Sequence, residues 1–112
     1  MRNLSFRVVR QEVREGRAVM SVGLLTLELH LPDAQSLKDK RQVLRSLKDK
    51  LRAHFNVAVA ELDFEDTWQR SVVGVVTLSN EDRHVEESLQ KVLAEADRIL
   101  GPLIVSHAVD LL

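Results

Sequence analysis

The chain has no cysteine among its 112 residues, so it can form no disulfide framework, no thiolate zinc site and no cysteine nucleophile. It has one tryptophan, three phenylalanines and no tyrosine. Polar residues such as Glu28, Arg70 and Ser79 interrupt the apolar runs far short of the roughly 20 residues that a membrane span requires. Residues 1–20 also lack the apolar block of a secretory signal. These absences predict a soluble cytoplasmic protein and disfavour redox chemistry.

The formal net charge of −1 conceals two oppositely charged segments. Residues 36–55 contain seven cationic and two anionic side chains, which is a local charge of +5. Residues 81–99 contain three cationic and six anionic side chains, which is a local charge of −3. A basic side on a nearly neutral protein is typical of contact with a polyanion.

Hydrophobic spacing predicts one α+β domain, for which 112 residues with 45% hydrophobic content suffice. Alternating apolar residues predict strands, and apolar residues that recur every three or four positions predict helices. Ser36 with Asp39 three residues later resembles a capping box, and Gly101 with Pro102 ends the second helical pattern. The predicted strands are 21–31, 57–64, 70–78 and 103–111, and the predicted helices run from Ser36 to about His54 and from Ser79 or Asn80 to Gly101.

This order of elements, βαββαβ, predicts a ferredoxin-like sandwich in which a four-stranded antiparallel sheet carries both helices on one face. We assign residues 20–112 to this domain. Residues 1–19 are an N-terminal extension outside the pattern, and two interpretations of it stay open. Leu4, Phe6 and Val8 alternate as in an extra strand, whereas a terminal segment of this kind is also typical of a flexible arm.

Four short blocks occur in a recognisable arrangement. They are SLKDKR at 36–41, FNVAVAE at 55–61, the pair Trp68 and Gln69, and Gly74. With these blocks, residues 20–112 resemble the YlxP-like family of small bacterial proteins, a domain-of-unknown-function family whose usual pattern starts near Met20. The resemblance implies a ferredoxin-like fold and genes that often lie beside those of translation and ribosome-maturation factors. It implies no established activity.

The first predicted helix carries a row of cationic side chains at spacings of three and four. The candidate RNA- or anion-binding residues are this row and one neighbour, namely Lys38, Arg41, Arg45, Lys48 and Arg52, together with Lys40. The row extends over fourteen residue steps, or roughly 21 Å at about 1.5 Å per residue, which is long enough to follow several phosphates. The alternative is that the aliphatic stems cover the edge of the core while the charged ends stay in water.

Two further positions have alternative interpretations. Arg41 lies three residues before Leu44, at a place where the apolar stripe continues. We therefore expect it to be partly buried, either as an anion contact or as the partner of an acid such as Glu61. Trp68 and its neighbour Gln69 are candidate contact residues in the predicted hairpin connection. Packing of the indole over the end of the hairpin is the other interpretation.

The first and third predicted strands contain no aromatic residue, so base stacking on the sheet, as in RNA-recognition domains, is disfavoured. The face without helices is expected to present short aliphatic side chains. Leu24, Val73 and Val75 are the candidate contacts there between two copies of the chain. A homodimer is therefore expected.

The sequence contains no phosphate-binding loop, no nucleophile elbow and no regularly spaced set of metal ligands. We expect no metal, no cofactor, no catalytic residue and no sequence-specific readout of DNA. The leading hypothesis is a noncatalytic cytoplasmic protein that binds RNA or a ribosomal particle through its basic helix, in translation or ribosome maturation. The alternative is a homo-oligomeric interaction module or small-ligand regulatory module that uses the open sheet face.

Overall fold

The computed structural model describes residues 13–14, 17–18 and 20–112. In chain order the elements are β1 (Val13–Arg14), β2 (Arg17–Ala18), β3 (Ser21–His30), α1 (Leu37–His54), β4 (Ala58–Asp63), β5 (Arg70–Ser79), α2 (Asp82–Leu100), a 3-10 turn (Gly101–Leu103) and β6 (Ile104–Leu111). Strands β1 and β2 form a small antiparallel pair. The alternation at Leu4, Phe6 and Val8 lies outside the described residues, so both interpretations of it, an extra strand or a flexible arm, stay open.

Four strands form the main sheet in the order β4-β5-β3-β6, and each neighbouring pair is antiparallel. The odd-numbered residues of β3 are buried, and Leu25, Leu27 and Leu29 join buried residues of both helices in one core cluster. Both helices therefore lie on the same face of the sheet. This arrangement is the ferredoxin-like fold that the order of elements predicted.

Helix α1 begins at the predicted position. The Ser36 hydroxyl accepts a hydrogen bond from the Asp39 amide at 3.0 Å, and the Asp39 carboxylate accepts one from the Gln35 amide at 2.9 Å. Side-chain oxygens thus satisfy two amides at the helix start, in the manner of a capping box displaced by one residue. The buried residues of α1, which face the sheet, are Lys40, Leu44, Leu47 and Leu51.

Helix α2 starts slightly later than predicted. Its N-cap is Glu81, whose side chain makes no capping hydrogen bond. The predicted cap is wrong because Ser79 is still the last residue of β5, and its hydroxyl donates to the Asn80 side-chain oxygen at 3.3 Å. The predicted end of the helix is confirmed, since Gly101 follows the last helical residue with a φ of +53°, a conformation that glycine adopts without strain.

The residues of β5 that lie on the open face of the sheet are not the ones predicted from the sequence. Leu24 pairs with Val76 in the register of the sheet, and directly paired residues point to the same face, so Val76 shares the open face with Leu24. Val73 and Val75 point to the opposite face and are fully buried in the core. The prediction that Val73 and Val75 belong to an interface on the open face is therefore wrong.

Both edge strands of the main sheet contain a β-bulge. Leu62 is the extra residue in β4 and Val105 is the extra residue in β6. Their side chains are exposed, at 52% and 57% of the accessible area. A bulge interrupts the row of edge hydrogen-bonding groups and so opposes pairing with a strand of another chain.

Candidate nucleic-acid interface

Helix α1 and strand β4 border a groove with a volume of about 510 Å³, which we term the α1 groove. It is lined by Arg41, Leu44, Arg45, Lys48, Asp49, Arg52 and Glu61. The helical members recur mostly three or four positions apart, because they lie along the side of α1 next to its buried stripe. The structure thus brings together four of the six cations predicted from the sequence. They outnumber the two carboxylates of the groove.

The contacts of Glu61 make the α1 groove more positive than this count indicates. The Glu61 carboxylate accepts a hydrogen bond from the Ser71 hydroxyl at 2.5 Å and pairs with the Lys40 ammonium at 3.0 Å. The buried Lys40 ammonium therefore already compensates the negative charge of Glu61. At the other end of the groove, Arg52 donates to the backbone oxygen of Val59 at 3.2 Å.

The remaining cations of the α1 groove face solvent. Arg41 and Arg45 are exposed and Lys48 is half-buried, and none of the three has a hydrogen bond or ion pair with another described residue. Lys38 is also exposed, but it does not line the groove. Three adjacent cations that make no ion pair within the protein can contact an anionic ligand without first breaking one.

Lys40 has a different environment from the other predicted cations. Its side chain is 1% exposed, and its ammonium donates to the backbone oxygens of Phe64 at 2.6 Å, Glu65 at 3.3 Å and Arg70 at 3.4 Å. The prediction that Lys40 contacts RNA is contradicted by this burial, because all its polar contacts are made inside the protein. Lys40 instead fastens α1 to the connection between β4 and β5.

The buried partner of Glu61 is thus Lys40, and the expectation that Arg41 is partly buried is wrong. Lys40 lies four residues before Leu44 and seven before Leu47, so it continues the buried stripe of the helix. This spacing was a signal that sequence reasoning missed. Arg41 does not form the ion pair expected in the alternative interpretation, because Glu61 pairs with Lys40 instead, and the contact of Arg41 with an anion stays a prediction.

Gln69 fastens the β4–β5 loop (residues 64–69) to the segment that leads into α1. Its side-chain amide donates to the backbone oxygens of Pro32 at 3.1 Å and Ala34 at 3.2 Å. Its own backbone oxygen accepts a hydrogen bond from the Leu31 amide at 2.8 Å. These contacts give Gln69 a structural role. Trp68, its neighbour, remains 50% exposed.

Phe64 opens the β4–β5 loop in the left-handed conformation, with a φ of +63°, which is uncommon for a bulky residue. Its amide donates to the Asp63 carboxylate at 2.8 Å, and its backbone oxygen accepts from the Thr67 amide at 3.0 Å as well as from Lys40. The Arg70 guanidinium lies 4.1 Å from the centroid of its ring. These contacts hold a backbone conformation that nothing in the sequence signals.

Helix α2 carries the acidic segment, and part of its charge is compensated internally. Arg83 pairs with Glu87 at 3.0 Å. The Arg98 guanidinium hydrogen-bonds to Glu95, which lowers the pKa of the Glu95 carboxyl below its ordinary value and raises the pKa of Arg98. Within the described residues, no group of three or more histidine, aspartate or glutamate side chains is placed to hold a metal ion. None of the described helices is long and apolar enough to cross a membrane.

Comparison with known proteins places this architecture among small proteins of unknown function. The uncharacterized protein YlxP of Bacillus subtilis strain 168 is 38% identical over 76 residues, which cover 68% of this chain and 83% of that protein. A solved dimeric ferredoxin-like protein of unknown function from Thermobifida fusca matches 93% of this chain and 98% of its own with a TM-score of 0.53 and 13% identity, a likeness of fold alone. A family model described as protein of unknown function (DUF503) matches residues 22–106. The chain therefore belongs to the DUF503 family, as its resemblance to YlxP-like proteins indicated.

Proposed function

We propose that this protein is a cytoplasmic RNA-binding protein that holds the phosphate backbone of an RNA strand in the α1 groove. The single observation that carries the proposal is the row formed by Arg41, Arg45 and Lys48, which is solvent-facing and makes no ion pair with a described residue. It acts by binding, with no catalytic step. The implied association with translation or ribosome maturation belongs to this proposal.

The dimensions of the α1 groove fit a nucleic-acid backbone. From Arg41 to Arg52 the helix advances by eleven residues, or roughly 16 Å at about 1.5 Å per residue. Guanidinium groups form paired, charge-assisted hydrogen bonds with phosphate oxygens, and three of the four cations are arginines. Such contacts contribute most of the affinity of sequence-independent binding and make it depend on salt.

The open face of the sheet is a poorer candidate for RNA. Strands β3 and β5 contain no aromatic residue, so the usual platform for base stacking on a sheet is missing. Leu24, Val72 and Val76 are half-buried aliphatic residues on this face, and they carry no charge for a phosphate. The α1 groove is therefore the surface whose chemistry suits a polyanion.

Charge reversal tests the proposal. The double variant Arg45→Glu and Lys48→Glu should lower the affinity for a fluorescein-labelled RNA oligonucleotide by more than about tenfold at low salt, because each contributes a phosphate contact. The matched control is Lys38→Glu with Lys50→Glu, an identical change of charge at exposed positions of the same helix that do not line the groove. This control should lose much less affinity.

The salt dependence gives a second readout. With four phosphate contacts to a single strand, the slope of log affinity against log salt should be about −2.8 for the wild type. The groove variant should have about half that slope or less. Equal losses in the groove variant and in the control, with both folds intact by circular dichroism, would show that only the overall charge matters and would contradict binding in the groove.

The cellular context is tested by sucrose-gradient sedimentation of a cell lysate that contains the tagged protein. Co-migration of the wild type with ribosomal subunits, and loss of this co-migration in the Arg45→Glu and Lys48→Glu variant, would support a role on the ribosome. Wild-type protein confined to the top of the gradient would contradict that part of the proposal while leaving RNA binding to be judged by the affinity measurements.

Self-association through the open sheet face is the second candidate function. The specific observation is the aliphatic surface of this face, on which Leu62 is 52% and Leu78 is 63% exposed. Apolar side chains clustered on one face are typical of an interface between copies. The protein from Thermobifida fusca with this fold is described as dimeric. Sedimentation velocity of the wild type decides: a dimer at tens of micromolar, on the order of ordinary homodimer affinities, supports the interface, and a monomer contradicts it.

A further inference from the structure

Trp68 is the only tryptophan of the chain, and it is half exposed on a loop whose backbone is held at both ends. On its N-terminal side, the Thr67 amide donates to the backbone oxygen of Phe64 at 3.0 Å and closes a turn. On its C-terminal side, Gln69 makes the three hydrogen bonds described above. The backbone on both sides of Trp68 is therefore held in place, while half of the surface of Trp68 faces water.

The two ends of the β4–β5 loop are also joined to each other. The Lys40 ammonium donates to the backbone oxygens of both Phe64 and Arg70, and the Arg70 guanidinium covers the Phe64 ring. A large aromatic surface on a loop restrained in this way loses little conformational freedom when it contacts a ligand. The restraint thus favours binding by Trp68 over a purely local packing role.

The loop continues the end of the α1 groove. Glu61 lines the groove, and its carboxylate contacts the same Lys40 ammonium that binds the first residue of the loop, Phe64. Helix α1 and strand β4 run in opposite directions along the groove, since Arg52 binds Val59 at one end and Lys40 binds Glu61 at the other. A strand that follows the cations from Arg52 towards Arg41 therefore runs towards this loop.

The charge of the loop indicates which part of a nucleotide it would accept. Asp63, Glu65 and Asp66 surround the turn that precedes Trp68, so a phosphate is disfavoured there by repulsion. A neutral base is not repelled, and every base offers an aromatic face for stacking on an indole. The cations that would bind the RNA backbone and the indole that would stack on a base thus lie one after the other along the same path.

We propose that Trp68 stacks on an unpaired base of the RNA whose backbone lies in the α1 groove, which makes single-stranded RNA the preferred class of ligand. This inference rests on the proposed function and adds the chemical form of its ligand. A base within a duplex is already stacked on its neighbours and is not available to Trp68.

The intrinsic fluorescence of the protein tests this inference, because Trp68 is the only tryptophan and the chain has no tyrosine. The probes are a single-stranded oligouridylate and an abasic ribose-phosphate oligomer of the same length, each at a concentration that saturates binding in a separate anisotropy measurement. We expect quenching by the oligouridylate and none by the abasic oligomer. We also expect Trp68→Leu to weaken binding of the oligouridylate by about five- to 150-fold while leaving the affinity for the abasic oligomer unchanged.

The outcomes separate the two proposals. If both oligomers bind with equal affinity and neither quenches, or if Trp68→Leu weakens both equally, the stacking role of Trp68 is overturned and the groove proposal stands. If neither oligomer binds, both proposals fail. A shift of the emission with protein concentration alone, in the absence of RNA, would place Trp68 between two copies of the chain and would also overturn the inference. A melting curve of Trp68→Leu that matches the wild type confirms that the variant is folded.

Discussion

Replacing Lys40 with methionine removes the ammonium that joins α1 to the β4–β5 loop while keeping an unbranched side chain of similar length. The ammonium has four partners, which are the Glu61 carboxylate at 3.0 Å and the backbone oxygens of Phe64, Glu65 and Arg70. Removing one member of a buried ion pair costs about 3–5 kcal/mol, because the other charge loses its partner. Here the lower end applies, since Glu61 is 16% exposed and keeps its hydrogen bond from Ser71.

The expected loss for Lys40→Met is therefore about 3 kcal/mol of the free energy of unfolding. In a domain of this size, about 1 kcal/mol shifts the melting temperature by about 4–8 °C, so Tm should fall by about 12–24 °C. Urea denaturation followed by circular dichroism measures the free energy, and a thermal scan measures Tm. The matched control is Arg41→Met at the adjacent, exposed position, which should change the free energy by less than about 0.5 kcal/mol.

A second variant separates the ion pair from the hydrogen bonds to the backbone. In Lys40→Met with Glu61→Met no carboxylate is left without a partner, so the double variant should recover part of the lost stability. The backbone oxygens still lack their donor, so the recovery should be incomplete. If Lys40→Met were within about 0.5 kcal/mol of the wild type, or if Arg41→Met were the more destabilising change, the assignment of Lys40 as the buried cation would be refuted.

Two pairs of substitutions test the packing of the sheet. Val75→Lys places a charge in the core and should prevent folding. Val76→Lys places the same charge on the half-buried open face, so this variant should fold but should sediment as a monomer where the wild type sediments as a dimer. A folded Val75→Lys protein would contradict the register of β5 against β3. Gly23→Ala should cost about 1–3 kcal/mol by overpacking, because the added Cβ would overlap Val85 Cγ1 and lie 2.8 Å from Leu89 Cδ1, and both of these residues are fully buried. Gly74→Ala should cost less, because the atom nearest to the added Cβ, at 2.7 Å, is the end of the exposed Leu62 side chain, which can move. If urea denaturation gave the same loss of unfolding free energy for both alanine variants, the Leu62 side chain would not be free to move.

The elements and their order were predictable because local signals agree with the global fold. The alternation in β3 is strict, the side chain at Ser36 caps α1, and Gly101 ends α2. The ferredoxin-like topology then follows from the order of strands and helices. Where a local signal was shared with a neighbouring element, as at Ser79 in β5, the predicted cap was wrong.

The face of β5 could not be read from its sequence. Val72, Val73, Val75 and Val76 flank Gly74, so apolar residues occur at both parities and the pattern fits either face. A slip of one residue exchanges the faces of a strand, and only pairing with β3 decides between them.

The basic groove was predictable in part. The helical spacing predicted one row of Lys38, Arg41, Arg45, Lys48 and Arg52 on α1; in the structure the last four line one groove, and Lys38 does not. The error concerned Lys40 and Arg41. The spacing of the buried stripe of α1 allows either residue to continue it, and the structure buries Lys40. Burial of a lysine depends on acceptors supplied by residues more than 20 positions away, such as Phe64, and no local pattern reveals these.

The most direct test of the account is to map the RNA contact on the protein by titrating the isotope-labelled chain with a single-stranded oligonucleotide and following the backbone amide resonances. We predict that the shifted resonances belong to residues 41–52 of α1 and to β4, where the groove lies, and to the β4–β5 loop that carries Trp68, and that they move less as salt is raised. Shifts confined to the open face, around Val76 and Leu78, or to the acidic helix α2 would contradict the account, as would a spectrum that does not change at millimolar RNA, a concentration that corresponds to about −4 kcal/mol of binding free energy.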